Sequence, residues 1–101
     1  MIVKSGWMVK KGEVVKNWKR RFAVLYSTAE LAYFEAENLR QSPKGSIDLR
    51  TVTAVRVSAE KAKPNCLDLV TSSRVFVLSF PTAEAMQEWL TALQSHTKVK
   101  R

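Results

Sequence analysis

The chain has 101 residues and a mass of 11.5 kDa, enough for one core and too little for two. Its 46% hydrophobic and 26% charged content is ordinary for a globular protein, and no apolar run approaches the ~18 residues that cross a bilayer, so any membrane contact is expected to be peripheral. A net charge of +8 and a pI near 10.0 call for an acidic partner, whether nucleic acid, anionic lipid or acidic peptide.

The charge is unevenly placed. Residues 1–24 hold seven basic groups (Lys4, Lys10, Lys11, Lys16, Lys19, Arg20 and Arg21) against Glu13 alone, a local +6 that leaves +2 for the rest. A cationic segment on a nearly balanced body suits a compact, multiply anionic ligand. The single cysteine, Cys66, permits no internal disulfide and no metal cluster. The first six residues show no signal-peptide core. A cytoplasmic protein is the expectation, with no cofactor and no metal.

In chain order, Val3–Lys11 alternates as a strand, with Gly6, Met8 and Lys10 on one face and Trp7 and Val9 on the other. Gly12 permits a tight loop. Trp18–Tyr26 alternates next: Trp18, Arg20, Phe22, Val24 and Tyr26 face one way, and Lys19, Arg21, Ala23 and Leu25 the other. Ser27–Glu30 is turn-like, and Leu31–Glu35 is a third strand carrying Tyr33 and Phe34. Asn38–Gly45, with Pro43, is a loop.

Short strands are expected at Ser46–Leu49 and Val52–Val57, then a polar stretch, Ser58–Asn65. Two more strands, Cys66–Val70 and Arg74–Phe80, are joined by a Thr71–Ser73 turn. In this run Cys66 reads as a buried strand residue. Several short strands at such spacing predict a small antiparallel barrel or sandwich.

After Pro81 the period changes. Met86, Trp89, Leu90 and Leu93 form the apolar stripe of a helix over about 82–96, followed by a basic tail, 97–101. Thr82 is the expected N-cap, and Glu84 suits the positive end of the helix dipole. Gln87, Glu88 and Gln94 fall on the wet side. Trp89 is large enough to plug one barrel end, and His96 is placed to meet the terminal carbonyls.

Seven short strands and a C-terminal amphipathic helix with a tryptophan resemble the pleckstrin homology (PH) domain across nearly the whole chain. The segments that carry the resemblance are GWMVKKG, KNWKRRF, LAYF, PKGSIDL, SSRVFVLSF and EAMQEWLTAL. The resemblance implies one domain over 1–101, mainly β: a seven-stranded antiparallel barrel of two near-orthogonal sheets, capped by the helix. KNWKRR and TSSRVF are most similar to the C-terminal PH domain of tandem-PH adaptor proteins.

PH domains that read 3-phosphorylated phosphoinositides pair a lysine late in the first strand with an arginine in the second, matched here by Lys10 and Arg21. Alternation agrees: Lys10 continues the face of Met8 and Arg21 that of Leu25, so both would face inward at the barrel mouth. A cation inside a small barrel without a counter-ion is costly, which argues for an open mouth that meets anions; a merely solvated basic face is the bland reading. Lys19 shares Arg21's face. The resemblance adds Tyr33, which is equally a half-buried strand aromatic, and Lys44.

At the place of Glu13 the family's 3,4,5-trisphosphate readers commonly have glycine, so its bulk and charge imply disfavour for a 5-phosphate and preference for phosphatidylinositol 3,4-bisphosphate. Lys11, Lys16 and Arg20 are expected to add a diffuse field toward anionic membrane. Val14 and Val15, adjacent at a loop tip, either extend a strand or enter the lipid interface.

The resulting expectation is a non-catalytic module recruited from the cytoplasm to the plasma membrane or endomembranes. Three alternatives stand beside it. One is phosphatidylinositol 3,4,5-trisphosphate binding at the same site. Another is a PH scaffold that binds protein without lipid. The third is nucleic-acid binding through Trp7, Trp18, Tyr33 and Phe34, disfavoured because the cations cluster at one hairpin instead of tracking a groove.

Overall fold

Period-two alternation carries the chain through seven strands before the period becomes helical, among the residues that the computed structural model describes, 1–13 and 17–97. The strands are β1 (Ile2–Lys11), β2 (Trp18–Tyr26), β3 (Glu30–Phe34), β4 (Gly45–Asp48), β5 (Ala54–Val57), β6 (Cys66–Val70) and β7 (Val75–Ser79); the helix is α1 (Ala83–Ser95).

All strand pairs are antiparallel, in the order β4-β3-β2-β1-β7-β6-β5. The two halves expected as separate sheets are hydrogen-bonded into one. β1 pairs along its length with β2, and its far end also pairs with β7 through Val9↔Ser79 and Lys10↔Leu78. The outer strands β4 and β5 are not paired with each other, so the barrel stays open between them. Helix α1 packs against β5 and β6.

The main core follows the predicted inward faces. Met8, Ala23, Leu25, Leu31, Ile47, Leu67, Leu69 and Leu78 are buried with Met86, Trp89 and Leu93 of α1. Trp89 stacks on Phe80 with ring centroids 5.7 Å apart, closing that end of the barrel. The opposite face of β2 and β3 carries a second cluster, Phe22, Val24, Ala32 and Phe34, flanked by Trp7 and Tyr26. Trp7 meets Phe22 edge-on at 5.3 Å.

The helix begins as expected. Thr82 Oγ1 accepts from the Ala85 amide at 3.0 Å, and Glu84 lies in the first turn. At the other end His96 Nδ1 lies 2.9 Å from the Ala92 carbonyl oxygen. Cys66 is 4% exposed, and burial pushes its thiol above the usual range. Both facts fit a structural strand residue.

Two expectations are corrected. The strand predicted at Ser46–Leu49 lies one residue earlier, at Gly45–Asp48, and the one predicted at Val52–Val57 begins only at Ala54, with a 3-10 turn at Leu49–Thr51 between them. The Asp48 carboxylate accepts from the Arg50 amide at 3.0 Å, offering the backbone an alternative to the ladder. Gln94 is half-buried instead of wet: its Nε2 donates at 3.0 Å to the Val55 carbonyl, satisfying an acceptor on the edge strand β5.

Candidate functional site

Strand pairing converts the cationic segment into one surface. Lys10 faces Lys19 directly across the β1–β2 ladder, and Met8 faces Arg21 one step deeper. Tyr33 on β3 lies between Ala23 of β2 and Gly45 of β4. Lys44, just before β4, donates its amide to the Tyr33 carbonyl at 2.8 Å. As a result Lys10, Gly12, Lys19, Arg21, Tyr33 and Lys44 line a single cavity of about 270 Å³. All five head-group residues named from the sequence are brought together here.

Like charges directly opposed in a ladder are destabilising. Among the described residues no carboxylate lies within ion-pair distance of Lys10, Lys19 or Arg21. Lys44 stands 4.0 Å from Glu35, both exposed. Arg21 Nη1 donates to the Arg20 carbonyl at 2.9 Å. Lys10 is half-buried, its Nζ 5.0 Å from the Tyr33 ring centroid and 5.7 Å from that of Phe76. Aromatic faces thus give its ammonium partial support. Desolvation, and then the nearby Arg74 and Arg21, lower the pKa of Lys10 from its ordinary value, against the opposing pull of Glu13. A depressed lysine between cations is a site short of negative charge.

Glu13 does not line this cavity. Its carboxylate pairs with Arg74 at 2.8 Å and borders a neighbouring cavity of about 230 Å³ with Lys11, Gly12, Arg74, Val75 and Val77. Gly12 is the wall common to both. Arg74 was not singled out from the sequence. The signal was available in the alternation of Arg74, Phe76 and Leu78, which puts Arg74 on the face of the buried Leu78.

Lys11 is tied to the body of the domain: its Nζ donates to Glu60 Oε1 at 2.6 Å, and that bond holds the Glu60 carboxyl below its usual range. Val14, Val15 and Lys16 lie outside the described residues. Of the aromatics weighed for nucleic acid, Phe34 is buried and Tyr33 is a wall of the cavity.

An open antiparallel barrel, plugged at one end by a helix and presenting a carboxylate-poor cationic mouth at the other, defines a small binding module built to meet an anion. The chain belongs to the PH domain family, which it matches over residues 2–98. It is 34% identical over 108 residues to Ras GTPase-activating protein 1 of Homo sapiens, covering 99% of this chain and 10% of that protein. It is 33% identical over 91 residues to the Dual adapter for phosphotyrosine and 3-phosphotyrosine and 3-phosphoinositide of Homo sapiens, covering 90% of this chain and 32% of that one.

The chain therefore spans about a tenth to a third of the length of these curated relatives. A similar solved structure is the C-terminal PH domain of pleckstrin in complex with D-myo-Ins(1,2,3,4,5)P5. Its TM-score is 0.77 at 29% identity, covering 97% of this chain and 100% of that one.

Proposed function

We propose that this domain is a non-catalytic membrane-recruitment module that holds a 3-phosphorylated phosphoinositide head group in the Lys10–Arg21 cavity. The observation that carries the reading is a half-buried lysine and two further cations, Lys19 and Arg21, around one cavity with no carboxylate in ion-pair reach among the described residues. The inositol pentakisphosphate bound by the pleckstrin domain and the 3-phosphoinositide in the dual adapter's name belong to the same chemical class.

Arg21 offers a planar fork suited to two phosphate oxygens, and Lys10 a point charge. Tyr33 adds a hydroxyl, while Lys19 and Lys44 complete the cationic ring. The membrane contact expected from the sequence for Val14, Val15, Lys11 and Lys16 belongs to the same reading, in which burial of valine side chains in lipid adds to head-group binding. The phosphoinositide on an anionic cytoplasmic surface is the partner, and recruitment of the host protein is the output.

Phosphatidylinositol 3,4-bisphosphate is the favoured ligand in this reading. By the family resemblance the residue at Glu13 borders the place of a 5-phosphate, and here that side is occupied by the Glu13–Arg74 pair. Calorimetric titration with soluble inositol 1,3,4-trisphosphate and 1,3,4,5-tetrakisphosphate, at fixed physiological salt, tests both levels. Tighter binding of the first supports the 3,4-bisphosphate preference, and Glu13→Gly should then narrow the ratio. Tighter binding of the second keeps the site and rejects the preference. If neither binds, a protein partner becomes the better reading of this cationic mouth.

A further inference from the structure

The β1–β2 hairpin outruns the sheet that carries it. β1 meets β7 only at Val9 and Lys10, and β2 meets β3 only from Phe22 onward, so residues 18–21 pair with β1 alone. The Gly12 amide continues this two-stranded ribbon by donating to the Asn17 carbonyl at 2.7 Å. Lys19 and Arg21 stand on the ribbon, and Lys10 stands at its base. A two-stranded ribbon is marginal by itself, so the convergence of these cations depends on what holds it from outside.

Lys11 supplies such a hold. Its Nζ donates to Glu60 Oε1, in the β5–β6 loop, with the two side chains only 26% and 15% exposed. In every other ion pair among the described residues at least one partner is far more exposed, and a shielded pair is screened less. Glu60 is itself fixed: its Oε2 accepts from the Ala62 amide and its own amide donates to Ser58 Oγ, both at 3.0 Å. The Ser58 amide in turn donates to the Cys66 carbonyl of β6 at 2.9 Å. One carboxylate thus ties the ribbon to the far half of the barrel; the Glu13–Arg74 pair is a second and more exposed tie.

Alternation puts Lys11 on the face opposite Lys10, and neither Lys11 nor Glu60 lines the head-group cavity. Glu60 can reach that cavity only through the backbone at Lys11, which lies between Lys10 and the Gly12 wall.

We infer that Glu60 is a positioning residue for head-group binding: through Lys11 it holds the β1–β2 ribbon where Lys10, Lys19 and Arg21 converge on one anion. The inference rests on the phosphoinositide reading above. The sign of the effect separates positioning from charge. Glu60→Gln removes a negative charge near a cationic site, which by electrostatics alone tightens the binding of any anion. A ribbon released from its tie loses preorganisation, and a ligand that needs several cations at once must restore it on binding.

Calorimetric titration of Glu60→Gln with inositol 1,3,4-trisphosphate, well below the thermal midpoint, should therefore show binding weakened by about three- to tenfold. Lys11→Met, which changes the charge in the opposite direction, should give a loss of similar size, and the double variant should lose no more than either alone. Lys11→Arg should lose less than Lys11→Met. Without ligand, amides 18–21 of Glu60→Gln should exchange hydrogen faster than those of wild type. Phosphatidylcholine vesicles containing phosphatidylserine attract the domain through its field and require no fixed spacing, so they should hold Glu60→Gln no less tightly than wild type.

A loss repeated on vesicles carrying phosphatidylinositol 3,4-bisphosphate assigns the positioned ligand to a lipid head group; a loss with the soluble titrant alone assigns it to a free inositol phosphate, and either supports the role of Glu60. Trisphosphate binding by Glu60→Gln that equals or exceeds wild type, or an equal loss on phosphatidylserine, overturns the inference. If Lys10→Ala still abolishes binding in that series, the head-group site stands without it. Should Glu60→Gln not fold, equal losses in Lys11→Met and Lys11→Arg overturn the inference, and a smaller loss in Lys11→Arg supports it. Wild-type protein that binds no inositol phosphate overturns both readings.

Discussion

Tyr33 and Gly45 face each other across the β3–β4 ladder, and the tyrosine ring fills the space where a side chain at 45 would begin. An ideal Cβ on residue 45 would stand 2.6 Å from Tyr33 Cζ and 2.9 Å from Cε1. The same ring supports the Lys10 ammonium at 5.0 Å. The small residue on β4 thereby sets one wall of a cavity whose principal lysine is on β1.

Gly45→Ala should therefore push the ring off its seat. The expected cost is about 1–3 kcal/mol of stability, as for overpacking elsewhere, together with weaker head-group binding. Tyr33→Phe keeps the ring and removes only the hydroxyl. Thermal unfolding and titration of both variants separate the contributions; an unaltered Gly45→Ala protein would mean that the ring has another place to go.

Lys10→Ala and Arg21→Ala should each weaken head-group binding by at least about thirtyfold, the equivalent of one lost charge-assisted contact of roughly 2 kcal/mol. Neither change strands a carboxylate partner among the described residues, so both variants should remain folded. Unchanged lipid selectivity in two well-folded variants would remove the site assignment.

The depressed pKa of Lys10 has a definite sign in stability. Below its folded value the lysine is charged in both states, and burial beside Arg74 and Arg21 penalises the folded one. Between that value and the ordinary 10.5 the unfolded chain binds more protons, so stability rises with pH. Above 10.5 the penalty is gone. Lys10→Met should lack this alkaline rise and be the more stable protein at neutral pH. A bound phosphate reverses the balance, and head-group titrations within the window should take up protons, read from the dependence of the heat on buffer ionisation.

Val14→Asp and Val15→Asp separate membrane contact from head-group recognition. Each should reduce partition to phosphoinositide vesicles by removing apolar burial of about 1.5 kcal/mol or more, while soluble head-group affinity stays the same. Equal loss in both assays would place the valines in the head-group site or the fold instead.

Much of this architecture is legible because alternation is a strong local signal. The faces assigned to Met8, Lys10, Arg21, Ala23 and Leu25 meet in the structure because antiparallel pairing preserves them. Gln94 was misplaced for the converse reason. Its helical position says only that it borders the apolar stripe, whereas the Val55 carbonyl that it meets is 39 residues away. The facing ends of two predicted strands moved away from Leu49–Thr51 because a side chain such as Asp48 competing for a backbone amide is invisible to periodicity.

The sequence by itself determined the PH fold, the membership of Lys10, Lys19, Arg21, Tyr33 and Lys44 in one surface, and the placing of the plugging tryptophan. The inward faces of Lys10, Lys19 and Arg21 and the helix stripe with Trp89 follow from residue type and period, which are local properties; the fold as a whole, Tyr33 and Lys44 came from the resemblance to the PH family. Only the tertiary structure decided that β1 joins both halves into one sheet, that Gly12 divides two cavities, and that Glu13 spends its charge on Arg74. Residues 13 and 74 are far apart along the chain, and an ion pair between them depends on where two loops are brought to rest. That is a matter of packing, which no local pattern records.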